Sequence, residues 1–149
     1  MKHGFTLIEI IIVIIIVGIL AAMGISQYST MVEKSRLTEA KIRISAMRKL
    51  AYEYYMNNGT MVSVTAADVG VVSEGCDSTR SYQYWILGST SGSVWLASAR
   101  CTTGGKSPNA SRKYTFYDVY WPGTDQDFWH CSDLDYPSGV ACPGFNYPP

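Results

Sequence analysis

The chain has 149 residues, in which 12 lysines and arginines balance 12 aspartates and glutamates, for a formal net charge of zero. A balanced charge gives no reason to expect binding to nucleic acid or to a membrane surface through general electrostatic attraction. The charge is nevertheless uneven: residues 2–49 hold seven basic side chains against three glutamates, a net of +4, whereas residues 114–149 hold five aspartates and no lysine or arginine, a net of −5. This polarity favours contact between the first part of one molecule and the last part of another, or it reflects two solvated faces.

The segment from Phe5 to Ile25 is apolar apart from Thr6 and Glu9. Its 21 residues are enough for a helix to cross a bilayer, given the rise of about 1.5 Å per residue. A secretory signal peptide would have a shorter apolar core followed by a cleavage site with small residues. The sequence therefore predicts a membrane-spanning helix over residues 5–27.

This helix is predicted to continue through an amphipathic half, residues 28–57, because neither proline nor glycine occurs between Ser26 and Met56. Asn57-Asn58-Gly59 is a typical helix end, since Asn and Gly tolerate the left-handed conformation. Three- and four-residue spacings indicate an apolar stripe that would face the rest of the chain. The predicted stripe consists of Val32, Ile42, Ala46, Leu50 and Tyr54, with Ser35 and Glu39 as its weak members.

The start of the chain, Gly4-Phe5-Thr6-Leu7-Ile8-Glu9 after a short leader with Lys2, resembles the processing signature of bacterial type IV pilins and pseudopilins. The resemblance covers roughly the first 35 residues. It implies that a prepilin peptidase removes residues 1–4 by cutting after Gly4, that Phe5 becomes N-methylated, and that Phe5 and Glu9 serve assembly.

Glu9 also has a physical explanation in such a scheme. Cleavage would create an ammonium group at Phe5, which a neighbouring subunit's Glu9 carboxylate could meet in a low-dielectric bundle. A buried pair of this kind specifies register better than it stabilises, because a misaligned neighbour leaves a charge unpaired. The alternative is that Glu9 lies near the membrane interface and reaches the surface with its carboxylate. Because a charged residue within a membrane segment usually has a function, the assembly role is preferred.

The sequence departs from the family after Ile25. Many pilins have a proline where this chain has Ser26, so the kink that a proline would cause is not expected here. Gly18 and Gly24 remain as weak points of the helix. Any loss of helix in an assembled filament is therefore predicted within residues 18–25.

The remainder, residues 58–149, is predicted to form an α+β head in which an antiparallel sheet covers the amphipathic half of the long helix. Strands are predicted at residues 82–87, 94–98 and 113–120, the first two forming a hairpin across Gly88–Ser93. Residues 124–149, rich in Pro, Gly, Asp and aromatic residues, are expected to be an irregular C-terminal loop. By resemblance, this disulfide-bounded region faces solvent or a neighbouring subunit.

Four cysteines allow three disulfide connectivities, in a head expected outside the inner membrane. The predicted hairpin brings Cys76 and Cys101 together, and a turn at Pro137-Ser138-Gly139 lies between Cys131 and Cys142. The expected pairs are therefore Cys76–Cys101 and Cys131–Cys142.

Neither a catalytic site nor a metal or cofactor site is expected in the head. His130 and Cys131 are adjacent, and adjacent side chains of a strand point to opposite faces, which does not suit a nucleophile and its base. Asp125-Gln126-Asp127 and Asp133-Leu134-Asp135 lack the spacing and glycine of a calcium loop. The aromatic residues, 11 Tyr and 4 Trp among them, are expected in the core rather than at a carbohydrate-binding or adhesive surface.

The resemblance implies a structural subunit of a type IV pilus, used in adhesion, twitching motility or DNA uptake. Its partners would be identical subunits, prepilin peptidase and the assembly machinery, with the chain in the inner membrane before assembly and in an extracellular filament afterwards. The alternative is a pseudopilin of a type II secretion system; major pseudopilins carry a calcium loop and few cysteines, unlike this chain. A membrane-anchored domain that never polymerises is a third hypothesis, opposed by the lack of a partner for Glu9.

Overall fold

The computed structural model describes residues 6–71, 75–108 and 114–132, and the chain divides into two compact units, Met1–Ser35 and Arg36–Pro149. A single helix, α1, comprises Leu7–Asn58 and contributes to both units. The helix ends where the sequence predicts, because Gly59 takes the left-handed conformation (φ 69°) and its N–H donates to the carbonyl of Tyr55 over 2.7 Å. The predicted long helix is confirmed.

The second unit contains a four-stranded antiparallel sheet whose strands lie in chain order, β1-β2-β3-β4. The strands are β1 (Tyr82–Ser89), β2 (Val94–Arg100), β3 (Thr115–Trp121) and β4 (Gln126–Ser132). The predicted hairpin is confirmed, and Thr90 closes it by donating its N–H to the carbonyl of Ser93 over 2.9 Å. A bulge in β1 between Ile86 and Gly88 shifts the register against β2.

One face of the sheet, the inner face, packs with α1 to form the core, which confirms the predicted α+β fold. The residues of α1 in this core follow each other at spacings of three and four, which places them on one side of the helix. They are Leu37, Ala40, Ile44, Met47 and Ala51.

The apolar stripe predicted from the sequence was wrong at Ile42, Ala46 and Leu50, whereas its last member, Tyr54, packs against the core. Ile42 is 67% exposed and Leu50 37% exposed, and Ala46 is exposed as well. The prediction followed the larger apolar residues across two polar positions. The observed stripe instead includes two fully buried alanines, Ala40 and Ala51.

The C-terminal region also differs from its prediction, because β4 occupies the first part of the stretch expected to be an irregular loop. The turn Pro122–Asp125 joins β4 to β3, and Asp125 takes a left-handed conformation (φ 50°) within that turn. Strand β4 carries aromatic residues on both of its faces, Phe128 on one and Trp129 on the other, so it lacks the alternation that marks a half-buried strand. Residues 133–149 of the predicted loop lie outside the described part of the chain.

Candidate assembly site

Thr6 and Glu9 form a hydrogen-bonded pair where α1 begins. The backbone N–H of Thr6 donates to Oε2 of Glu9 over 3.0 Å, and the Thr6 hydroxyl donates to the same oxygen over 2.8 Å. In return, the N–H of Glu9 donates to Oγ1 of Thr6 over 3.4 Å. This is a capping box, which satisfies amide groups that the first turn of a helix leaves without partners. Sequence reasoning missed this function of Glu9, although the spacing Thr-x-x-Glu before an apolar run is its signature.

The helix that follows is apolar on all sides and exposed in the single chain. Every large apolar side chain from Leu7 to Ile25 is exposed, between 42% for Ile11 and 79% for Leu7. By length and composition this part of α1 is able to cross a membrane. So large an exposed apolar surface indicates that lipid or other protein chains surround it in the cell.

Of the other residues predicted to act in processing and assembly, the structure describes only the two glycines. Gly4 and Phe5 lie outside the described residues, so cleavage, methylation and the pairing of Phe5 with Glu9 stay predictions. Gly18 and Gly24 both lie within α1, and a Cβ added at either would meet no atom within 4 Å. Both glycines are thus helical in the single chain, whereas the predicted loss of helix concerns the assembled filament.

The first of the two predicted disulfides is confirmed. Cys76 and Cys101 are bonded, with their Cα atoms 5.8 Å apart, and Cys101 directly follows β2 as the hairpin requires. Cys131 is buried in β4 and is also disulfide-bonded. Its predicted partner, Cys142, lies outside the described residues, so the second pairing stays a prediction.

Three aspartates surround Arg48, a residue of α1 in the second unit. The guanidinium of Arg48 forms an ion pair with Asp127 and lies 3.8 Å from Asp118 and 3.9 Å from Asp125. The ring of Tyr120 packs against the same guanidinium, with its centroid 4.7 Å from Cζ. Asp127 is therefore neutralised by an arginine of α1, and Asp125 lies near the same cation. Within residues 6–71, 75–108 and 114–132, no group of three or more His, Cys, Asp and Glu side chains is arranged to hold a metal ion.

Asp118 is the unusual member of this cluster, because its carboxyl group lies on the inner face and is fully buried. Among the described residues, neither of its oxygens has a partner at normal hydrogen-bond geometry, although the backbone N–H of Phe128 on β4 is close enough to lower the pKa of Asp118. Burial raises the pKa of Asp118 to about 7, against the attraction of Arg48, which lowers it. Nothing in the sequence marks this aspartate as different from the exposed ones.

His130 and Cys131 do not form a catalytic pair. Cys131 faces the core, while the ring of His130 lies on the other face of β4, 4.8 Å from the ring of Tyr117. Because the Cys131 sulfur is already in a disulfide, it has no thiolate to act as a nucleophile.

Comparison with known proteins gives similarities in the N-terminal part of the chain. The family described as the prokaryotic N-terminal methylation motif matches residues 1–25. A probable minor fimbrial protein of Dichelobacter nodosus is 43% identical over 58 residues, which are 39% of this chain and 36% of that protein. A fimbrial protein of Neisseria meningitidis serogroup B is 39% identical over 75 residues, 50% of this chain and 44% of that protein.

A type IV major pilin protein, PilE1, of Neisseria gonorrhoeae is 41% identical over 59 residues, 40% of this chain and 36% of that protein. The chain thus spans less than half the length of each of these relatives. No solved structure matches the chain significantly. The motif, the similarity to fimbrial and pilin proteins over the N-terminal part of the chain and the α+β fold together support a type IV pilin.

Proposed function

We propose that the chain is a structural, non-enzymatic subunit of a type IV pilus, which polymerises through the N-terminal part of α1. The observation that carries this proposal is the exposed apolar part of α1, residues 7–25, which holds a single carboxylate, Glu9, close to its start. Identical helices packed side by side would bury the apolar surface, and an ammonium at Phe5 of a neighbouring subunit would neutralise Glu9. Before assembly the same helix would anchor the chain in the inner membrane.

Processing is the first testable part of the proposal. A prepilin peptidase is expected to cut after Gly4, and the new N-terminus at Phe5 is expected to be methylated. Mass spectrometry of the intact protein, taken from filaments, measures both events in one experiment. A mature subunit that still carried Met1 would contradict the proposed processing.

The pairing of Glu9 is tested by replacing its carboxylate with an amide of the same shape. Glu9→Gln is expected to leave the chain in the membrane and to reduce the yield of sheared surface filaments at least about tenfold, because one buried ammonium per subunit would then be unpaired. Glu39→Gln is the matched control, since Glu39 is an exposed carboxylate further along α1. Equal filament yields from the two variants would exclude a role of the Glu9 charge in assembly.

The weak points of the helix follow from the same proposal. In a filament, any non-helical segment is expected within residues 18–25, because each glycine weakens helix by roughly 1 kcal/mol relative to alanine. Gly24→Ala is therefore expected to impair assembly more than Ser26→Ala. A filament map with regular helix through this segment, or equal tolerance of both substitutions, would contradict this expectation.

The pseudopilin hypothesis predicts the same helix and the same processing. The relatives above are named as fimbrial proteins and as a major pilin, which supports the pilus. Deletion of the gene separates the two functions: loss of surface filaments with normal protein secretion supports the pilus. Loss of secretion with filaments intact would support the pseudopilin. Adhesion, twitching motility and DNA uptake are assayed in the same deletion strain.

A further inference from the structure

The outer face of the sheet, opposite the face that packs with α1, is unusually aromatic. Alternate residues of a strand lie on opposite faces, and paired residues of neighbouring strands share a face. One row across the outer face contains Trp85, Ala97, Tyr117 and His130. The next row contains Gly88, Trp95, Val119 and Phe128, and beyond it Trp121 pairs with Gln126.

Three of the aromatic residues on the outer face are exposed to solvent, while Trp85, Tyr117 and His130 are partly buried. Trp95 and Trp121 are each 39% exposed and Phe128 is 48% exposed. Of the four tryptophans, only Trp129 lies on the inner face, where it stacks on Phe116 with ring centroids 4.9 Å apart. The expectation that the strand aromatics form the core therefore fails for the other three.

The ring of Trp95 lies across Gly88 and presents one side outward. Its atoms Cε3, Cζ3 and Cδ2 come within 3.1, 3.4 and 3.8 Å of the point where a Cβ of Gly88 would stand. A larger residue at position 88 would push the ring away from the sheet, so the glycine allows the ring to lie close to the backbone. The bulge in β1 also lies at this point, directly before Gly88.

Charge distinguishes the possible partners of this surface. The charged side chains of the four strands, Arg100, Asp118 and Asp127, belong to the inner face, as their register with core residues shows. The outer face of β1–β4 carries no lysine, arginine, aspartate or glutamate; its polar groups are amides, hydroxyls and the His130 ring. Nucleic acids and acidic polymers need basic side chains to neutralise them, and these strands offer none on this face.

We propose that this outer face binds a neutral saccharide. Sugar rings have apolar C–H faces, which stack on aromatic rings, and hydroxyl groups at their edges, which bond to amide and imidazole groups. Trp95, Trp121 and Phe128 would supply the stacking surface, and Gln126 and His130 the hydrogen bonds. This inference rests on the proposed function, because a pilus would carry the outer face outside the cell. It adds the class of receptor, a neutral saccharide, that such a pilus would bind.

Binding is tested with filaments of the full chain on immobilised neutral oligosaccharides, with sialylated oligosaccharides and single-stranded DNA as anionic probes. We expect retention on a neutral oligosaccharide that changes little between about 0.1 M and about 1 M salt. Trp95→Ala and Trp121→Ala are each expected to weaken it at least about tenfold, as the loss of a central aromatic contact does. Trp121→Phe should restore part of the affinity. The control is Val62→Ala, which removes a 62% exposed apolar side chain outside the sheet.

Filament yield is measured separately by electron microscopy, so the failure of assembly is distinguished from the failure of binding. For a variant without filaments, the detergent-solubilised chain is titrated with the same oligosaccharide and its tryptophan fluorescence is followed. Three results would overturn the proposal: no neutral saccharide is retained; retention occurs only on anionic probes and is lost in salt; or Trp95→Ala abolishes filaments while the parent filaments bind no saccharide. The last result would show that this face is a contact between subunits.

Discussion

Replacing Asp118 with asparagine should make the head more stable at neutral pH, although it removes a partner of Arg48. The Asp118 carboxyl group is fully buried, lacks a partner at normal hydrogen-bond geometry among the described residues and lies 3.8 Å from Nε of Arg48. Asp127, which forms an ion pair with the same arginine, repels the ionised form. Because Arg48 keeps Asp125 and Asp127 as neighbours, Asp118→Asn does not leave the guanidinium alone.

The magnitude follows from the pKa of Asp118, which burial raises from 3.8 to about 7. Between these pH values the folded chain holds a proton that the unfolded chain has released, so the free energy of unfolding falls as the pH rises from about 4 to about 7. Each pKa unit corresponds to about 1.4 kcal/mol, which gives a total loss of roughly 4 kcal/mol over this interval. An amide cannot ionise, so we expect Asp118→Asn to gain roughly 2–4 kcal/mol at pH 8 and almost nothing at pH 4.

The assay is urea unfolding of the full chain in detergent, with disulfides intact, followed by tryptophan fluorescence across this pH range. Asp68→Asn is the control with the opposite sign, because hydrogen bonds from the side chain and backbone of Thr65 lower the pKa of Asp68. That variant should lose stability above about pH 4 rather than gain it. Our reasoning is refuted if Asp118→Asn is less stable than the parent at pH 8, or if both show the same fall in stability between pH 4 and 7.

Three further predictions concern packing, covalent bonds and the helix start. In the same unfolding assay, Ile44→Ala should lower the free energy of unfolding by roughly 2–5 kcal/mol and Ile42→Ala by less than about 0.5 kcal/mol, because only Ile44 is buried. Similar losses from the two variants would contradict the observed stripe. Peptide mapping without reductant should link Cys131 to Cys142, and any other partner would disprove that pairing. Thr6→Val should speed amide hydrogen exchange in the first turn of α1 in micelles, because the cap is lost; unchanged exchange would mean that the capping box does not hold in micelles.

The sequence predicted those features that depend on neighbours along the chain. The uninterrupted run up to Met56 and the helix end at Gly59 are local signals, and α1 ends at Asn58. The hairpin of β1 and β2 and the Cys76–Cys101 bond follow from the same kind of signal, because a short turn brings its flanks together. Such features require no knowledge of what packs against them.

The features that depend on packing could not be predicted in the same way. Which side of α1 is buried depends on how closely the sheet approaches, and the alanines at 40 and 51 are as informative there as the larger residues. Likewise, Asp118 and Asp127 look like ordinary strand and turn acids until the fold brings Arg48 to them from a distant part of the chain. The aromatic outer face was missed because alternation alone does not say which side of a strand faces the core when both sides are aromatic.

The structure changes the interpretation of Glu9. The sequence offers no partner for the charge of Glu9 in a single chain within a membrane, which argued against the hypothesis of a domain that never polymerises. The structure shows that Thr6 of the same chain donates hydrogen bonds to this carboxylate. Hydrogen bonds from Thr6 to this charged group offset part of the cost of placing a carboxylate within a membrane. The charge itself remains, however, because Thr6 is neutral, and an ammonium from a neighbouring subunit would remove it. The capping box therefore lowers the cost of placing Glu9 in the membrane before assembly, while pairing with an ammonium group still favours assembly. Thr6→Val removes the first contribution and Glu9→Gln removes the second.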